Sequence, residues 1–267
     1  MMPDEYYKSY MQPDKNIAQH MPGGGTSGLQ LSIAPTCNML CNFCSRGCDC
    51  ICNGNDPGYA CKMLTPRQAV NLALSSAAKD KRIKSIAITG PGEPLCNTQT
   101  YEVLKQLSYK LSGITFNIGT NGLLLEEKAE ALMNYGVKSV DISINALRDE
   151  ILAKLYSKLI LHGSIISDPG KVASIMRTRQ AKGLEKCMVL GMKTGVNTVY
   201  FPGINDEDVL EIAQMCKAMG IKSMCLISGI PGGKFTGIMP PAITEMVAMQ
   251  QKVSKILPEV QLKTFFG

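Results

Sequence analysis

Three cysteines, Cys37, Cys41 and Cys44, follow a short apolar run in the order Cys-x3-Cys-x2-Cys. That spacing turns three thiols toward one point from a single tight loop. A structural zinc site wants four ligands, commonly as two close pairs, and no obvious fourth completes this set. Three thiolates suit a cubane [4Fe–4S] cluster better, because one of its irons is then left without a protein ligand and can chelate a small molecule. A further run, Cys48, Cys50 and Cys52 with Cys61, lies just downstream. It could ligate a second cluster, sit on an insertion, or lend one ligand to a substrate cluster. Cysteines two apart point to opposite sides of an extended chain, so a single cluster there needs a bent loop.

The triplet, with Phe43 between its last two cysteines, resembles the signature of the radical SAM enzymes. In that family the open iron holds S-adenosylmethionine (SAM) by its amino and carboxylate groups. The segment Gly90-Pro91-Gly92-Glu93-Pro94 looks like the family loop that contacts the SAM amino group. Gly92 lets backbone approach a ligand closely, and Glu93 offers a carboxylate. Thr120, Ser143, Asn145 and Asn197 stand at or near other strand ends. The resemblance implies that residues of the fourth and fifth strands contact the SAM ribose and carboxylate, with Ser143 and Asn197 foremost.

These groups need a scaffold that brings strand ends together, and the pattern supplies one. Leu29–Ala34 reads as a strand, and Thr65-Pro66 as the cap and first residue of a helix to about Lys79. Strands follow at 85–89, 114–120, 138–145, 194–201 and 223–227, with helices at 98–111, 126–134, 207–219 and much of 240–256. A short strand at 261–265 ends the series. The stretch 148–190 is the least regular, read as a short helix, a loop around Asp168-Pro169-Gly170 and a longer helix. Strand–helix alternation demands parallel pairing with right-handed crossovers. The expected fold class is α/β: a partial (β/α)6 TIM-type barrel of the radical SAM kind, with parallel strands and outer helices. Active sites on such barrels lie at the C-terminal strand ends, where every motif above falls. Residues 1–28 read as a flexible leader and 29–267 as the radical SAM core domain.

With 267 residues, 45% hydrophobic and 19% charged, the composition is that of a globular, core-forming chain. A net charge of +6 without long basic runs permits an anionic substrate but gives no expectation of nucleic acid binding. There is no apolar signal segment and no run near the roughly 20 residues that span a bilayer. Eleven cysteines, seven of them between Cys37 and Cys61, do not resemble a secreted disulfide framework. A cytoplasmic, reducing location without membrane association is expected.

From Leu31 to about Glu245 the chain also resembles the NifB family of nitrogenase iron–molybdenum cofactor biosynthesis proteins. The resemblance rests on Ala34-Pro35-Thr36-Cys37-Asn38, Leu64-Thr65-Pro66, Gly90-Pro91-Gly92-Glu93-Pro94-Leu95, Thr120-Asn121-Gly122-Leu123, Val196-Asn197 and Pro202-Gly203-Ile204-Asn205-Asp206. That family binds two further [4Fe–4S] clusters and fuses them. Here no cysteine precedes Cys37 and none follows Cys225. Asn117 stands where the family has a cysteine, and Asn53 where it has an acidic residue. The Asp49-Cys50 pair is kept, and the family Gly-Pro-Gly-Asp-Pro is Gly-Pro-Gly-Glu-Pro here. The resemblance therefore implies a [4Fe–4S] cluster on Cys37, Cys41 and Cys44, bound SAM, and reductive cleavage of SAM to a 5′-deoxyadenosyl radical, in nitrogenase-type metallocofactor biosynthesis. It also implies a reducing electron donor such as ferredoxin or flavodoxin, and iron–sulfur carrier or nitrogenase-like assembly proteins as partners. Radical SAM modification of a peptide, RNA or metabolite, and a non-catalytic iron–sulfur carrier or scaffold, are the alternatives.

Overall fold

Strand–helix alternation builds the expected architecture. The computed structural model describes residues 18–23, 26–44 and 63–263. Its main sheet has eight strands: β1 (Ala18–Gly23), β2 (Thr26–Leu31), β4 (Ile83–Ile88), β5 (Thr115–Thr120), β6 (Val137–Ser143), β9 (Lys193–Tyr200), β10 (Ser223–Ser228) and β11 (Gln261–Lys263). They lie side by side in that order. Only the β1–β2 pair is antiparallel, and all the others are parallel. The sheet curls into a half-barrel. Strand β1 falls within the stretch read as leader; residues 1–17 lie outside the described residues, as do Cys48, Cys50, Cys52 and Cys61.

Helices α1 (Pro66–Lys79), α2 (Thr98–Lys110), α3 (Leu125–Asn134), α4 (Asp149–Leu155), α5 (Pro169–Val189), α6 (Asp206–Ala218) and α7 (Ile243–Ser254) complete the chain. The Thr65 cap is a full capping box: Thr65 Oγ1 accepts from Gln68 N–H, and Gln68 Oε1 accepts from Thr65 N–H at 2.9 Å. Two orphan donors at the helix start are thereby satisfied. Asp168 caps α5 with its side chain alone, accepting from Lys171 N–H at 2.9 Å, with Pro169 at the first helical position. The Asp-Pro-Gly turn signal is therefore the start of a helix.

Strand alternation sorts the side chains. Ile86, Ile88, Phe116, Ile118, Val140, Ile142, Val196, Met224 and Leu226 are buried and pack toward the helices in the main core. Their sequence neighbours, which face the concave side, are small or polar: Ala87, Asn117, Gly119, Ser139, Asp141, Ser143, Asn197 and Cys225. Period-two alternation is what separates the two faces.

The irregular 148–190 stretch contains an element that the sequence reading lacks. Strands β7 (Tyr156–Leu161) and β8 (Ser164–Ile166) form a hairpin, and β3 (Met39–Cys41) pairs antiparallel with β7 as a second, three-stranded sheet. Its turn uses His162 and Gly163, both at positive φ. With Leu123, Ile151, Leu155, Val172, Met176, Phe201 and Phe235, this small sheet makes a second apolar cluster. That cluster lies directly under the cysteine loop.

Candidate active site

The first wall of the site is a zipper between two strand extensions. Beyond β2, Ala34 bridges Pro91 in parallel. Gly92 N–H donates to Ala34 O and Glu93 N–H to Thr36 O, both at 2.8 Å. A Cβ on Gly92 would run into the Thr36 carbonyl oxygen, so this approach requires glycine. Asn97, 3% exposed, locks the zipper. Its Nδ2 donates to Thr36 O at 2.8 Å and Glu93 O at 2.7 Å, and its Oδ1 accepts from Thr36 Oγ1 at 2.8 Å. The backbone is thus fixed one residue before Cys37.

Glu93 is 2% exposed, and its carboxylate is heavily engaged. Oε1 accepts from Leu95 N–H at 3.0 Å and Thr120 Oγ1 at 2.6 Å, and Oε2 accepts from Asn121 N–H at 2.7 Å. Asn121 Nδ2 in turn donates to Asn38 Oδ1 at 2.8 Å, which ties the end of β5 to the residue after Cys37. Cys96 lies behind this wall, donating to Glu93 O at 3.3 Å. Burial, with smaller contributions from Cys37 and Glu93, pushes its thiol up to about 12, so Cys96 stays neutral.

The other side of the cysteine loop rests on the hairpin sheet. Cys41 pairs with Tyr156 across β3–β7. Asn42 N–H donates to Leu155 O and Asn42 Nδ2 to Lys154 O, both at 2.7 Å, while Phe235 N–H donates to Asn42 O at 3.1 Å. Phe43 packs against Phe201, Tyr156 and Phe235 with ring centroids 5.5, 6.2 and 6.2 Å away. Aromatic pairs at this spacing add stability beyond their area, and they keep the floor of the loop dry.

The far wall is built from β6 and β9. Asn145 Nδ2 donates to Tyr156 Oη at 2.8 Å, and its Oδ1 accepts from Val199 N–H at 2.8 Å. Burial, reinforced by Cys41, raises Tyr156 far above the usual phenol range, with the Asn145 bond opposing. Asn205, fully buried, accepts from Phe201 N–H and donates to Asn145 O and Val199 O. The Pro-Gly-Ile-Asn-Asp segment is therefore a staple that holds the end of β9 against the end of β6. Gln180 of α5 donates to Asn121 O at 2.9 Å and Ser143 O at 2.8 Å. The side chains of Ser143 and Asn197, facing each other across the β6–β9 register, make no hydrogen bond among the described residues.

All these parts meet around one cavity of about 280 Å³. Cys37, Cys41, Cys44, Gly92, Glu93, Thr120, Ser143, Asn145 and Asn197 all line it, so every described residue singled out from sequence is gathered there. Asn121, which ends the same strand as Thr120, lines it as well, and so do Thr89 and Tyr156, which were not foreseen. Thr89 adjoins a motif that was noted, whereas Tyr156 sits on the hairpin, where no alternation signalled a strand.

The donor set fits a cluster. The three thiols share the cavity, yet among the described residues no three His, Cys, Asp or Glu converge on one metal ion. The loop also buries Asn38 Nδ2, which has no hydrogen-bond partner among the described residues. Asn38 follows Cys37 directly, and a sulfide-rich group held by the loop would supply an acceptor.

The sequence model of the radical SAM superfamily matches residues 31–216. The chain belongs to the radical SAM superfamily. It is 35% identical over 215 residues, 79% of its length, to the FeMo cofactor biosynthesis protein NifB of Azotobacter vinelandii, of which it covers 42%. A radical SAM methyltransferase from Sphaerobacter thermophilus superposes with a TM-score of 0.64 at 17% identity, over 93% of this chain and 69% of that one. The structure of anSMEcpe with bound AdoMet matches with a TM-score of 0.51 at 18% identity, over 74% of this chain and 51% of that one. These two structural likenesses concern the fold. The chain spans about half the length of the curated NifB relatives it matches. Among the described residues of this radical SAM chain, no helix is long and apolar enough to cross a membrane.

Proposed function

We propose that this chain is a NifB-like radical SAM enzyme acting in nitrogenase-type metallocofactor biosynthesis. Cys37, Cys41 and Cys44 would hold a [4Fe–4S] cluster, and the cavity beside them would hold SAM. When bound, the cluster and SAM supply one-electron reductive cleavage of a C–S bond, giving methionine and a 5′-deoxyadenosyl radical that abstracts hydrogen from a substrate. The electron would come from a ferredoxin or flavodoxin in a cytoplasmic setting, and iron–sulfur carriers or nitrogenase-like assembly proteins would be the partners. The observation that carries the reading is the meeting of the three thiols with Gly92, Glu93, Ser143 and Asn197 around one cavity.

The chain's own residues have separable tasks. The Asn97 and Glu93 clamps set the height of the cysteine loop against β4 and β5. The backbone at Gly92 would offer an acceptor to an ammonium group, with the buried Glu93 carboxylate bracing the wall behind it. Ser143 and Asn197 offer hydroxyl and carboxamide groups to a ribose or carboxylate. The Phe43, Phe201 and Phe235 rings exclude water from beneath.

The test is anaerobic reconstitution with iron and sulfide, followed by SAM and dithionite, with 5′-deoxyadenosine measured. The wild type should release it and Cys41→Ala should release none. A protein that takes up about four irons per chain yet never cleaves SAM would leave only a carrier. Full cleavage by Cys41→Ala would overturn the ligand assignment.

A further inference from the structure

The aromatic floor under the cysteine loop carries a hydroxyl that none of the tasks above uses. Three of the rings meeting there, Phe43, Phe201 and Phe235, are phenylalanines, whereas the fourth is Tyr156. Tyr156 is 1% exposed, yet it lines the cavity together with Cys41, Phe43 and Asn145. A hydroxyl set among hydrocarbon costs stability unless its hydrogen bonds are made. A phenylalanine would fill nearly the same space without that cost, so the oxygen calls for partners.

One partner is visible. The Asn145 amide cannot be turned round, because its Oδ1 accepts from Val199 N–H at 2.8 Å. Its Nδ2 is therefore the group that faces Tyr156, and it donates to Oη at 2.8 Å. The phenol oxygen acts here as an acceptor, which leaves its own proton to be given elsewhere. Tyr156 makes no other side-chain hydrogen bond among the described residues. The two bonds of a phenol oxygen leave it in different directions, so that proton does not point at Asn145.

Opposite Tyr156 stands the cysteine loop. Cys41 on β3 is its partner across the β3–β7 pair, and cross-strand partners project from one face. Cys41 is also the ionisable side chain whose charge acts on the phenol. A thiolate that ligates iron is an electron-rich acceptor, and hydrogen bonds to such sulfurs tune the metal centre they serve.

We propose that Tyr156, held by Asn145, donates a hydrogen bond from its hydroxyl to the sulfur of Cys41 and so raises the reduction potential of the cluster there. This rests on the [4Fe–4S] assignment of the proposed function, and it adds a residue of the hairpin that lies outside every sequence motif. Such a bond strengthens as negative charge builds on the sulfur, so it favours the reduced cluster over the oxidised one. Tyr156 would thus ease entry of the electron without touching a substrate.

The experiment is a potentiometric titration of the reconstituted full chain, followed by electron paramagnetic resonance, with SAM left out. Tyr156→Phe should shift the one-electron equilibrium about tenfold toward the oxidised cluster, a fall of about 59 mV. Site-specific 3-fluorotyrosine at position 156, a stronger donor of nearly the same size, should raise the potential, which misfolding would not do. Tyr101→Phe, which removes a half-buried phenol bonded to Leu95 O at 2.9 Å, should leave the potential where it is. Iron content and thermal melting of each variant report loading and folding. A fully loaded Tyr156→Phe protein with the wild-type potential would overturn the proposal, as would an equal fall in Tyr101→Phe or a shift seen only with SAM present. A Tyr156-dependent potential in a chain that never cleaves SAM would support the proposal and sink the enzymatic reading. SAM cleavage with a potential indifferent to Tyr156 would do the reverse, and a wild-type chain that takes up no iron would overturn both.

Discussion

The two walls of the cavity look alike in sequence and differ in what their polar groups do. On the β4–β5 side, Glu93, Asn97 and Thr120 are buried to 3% exposure or less and spend most of their hydrogen-bonding capacity on one another and on backbone. On the β6–β9 side, Ser143 and Asn197 are only partly buried, with side chains uncommitted among the described residues. The first wall is a brace, and the second is a surface offered to a ligand. A polar residue at a strand end can play either part, and only the count of its partners tells which.

Truncation should separate the walls. Glu93→Ala strips the acceptor from Leu95 N–H, Thr120 Oγ1 and Asn121 N–H. With each orphaned buried group costing on the order of 1–3 kcal/mol, a combined loss of about 4 kcal/mol is expected in chemical denaturation. Behind the β6–β9 wall, Asn205→Ala, which frees Phe201 N–H and two carbonyls of the staple, should lose about 3 kcal/mol by the same reckoning. On the open wall, Ser143→Ala and Asn197→Ala should each change stability by less than about 0.5 kcal/mol. Each should weaken SAM binding by about tenfold, the value of one well-made hydrogen bond, read by equilibrium dialysis. A stability loss from Ser143→Ala or Asn197→Ala as large as that from Glu93→Ala would erase the distinction.

The smallest effect belongs to Cys96 behind the brace. Its thiol would ionise near 9.0 when exposed and near about 12 when folded. Between those values the native chain keeps a proton that the unfolded chain has released. Stability from this group is therefore flat below pH 9 and falls as pH rises toward 12. Iodoacetamide should leave Cys96 unmodified in the folded protein at pH 8.5 and label it in urea, as mass spectrometry would report.

Much of this was legible in the sequence because the signals were local. The thiol spacing, the Thr65-Pro66 cap and the inward-facing residues of β5, β6 and β9 follow from short-range pattern alone. The β7–β8 hairpin was not legible, because β7 follows α4 without a break and β3, its partner, lies more than a hundred residues earlier. Glu93 shows the same limit within the site. Its type and position suggested a ligand group, but the bonds that hold it come from Thr120 and Asn121, which no local pattern pairs with it.

The seat of the cysteine loop has a consequence for how the molecule is made. The three thiols leave the ribosome before the groups that cradle them, from Lys154 to Tyr156 and at Phe235, which follow more than a hundred residues later. A half-synthesised chain carries its most oxidisable atoms with nothing yet to shelter them. Under the proposed function, iron would be loaded only once that cradle has been made, and the interval before it is when oxygen would do the most harm.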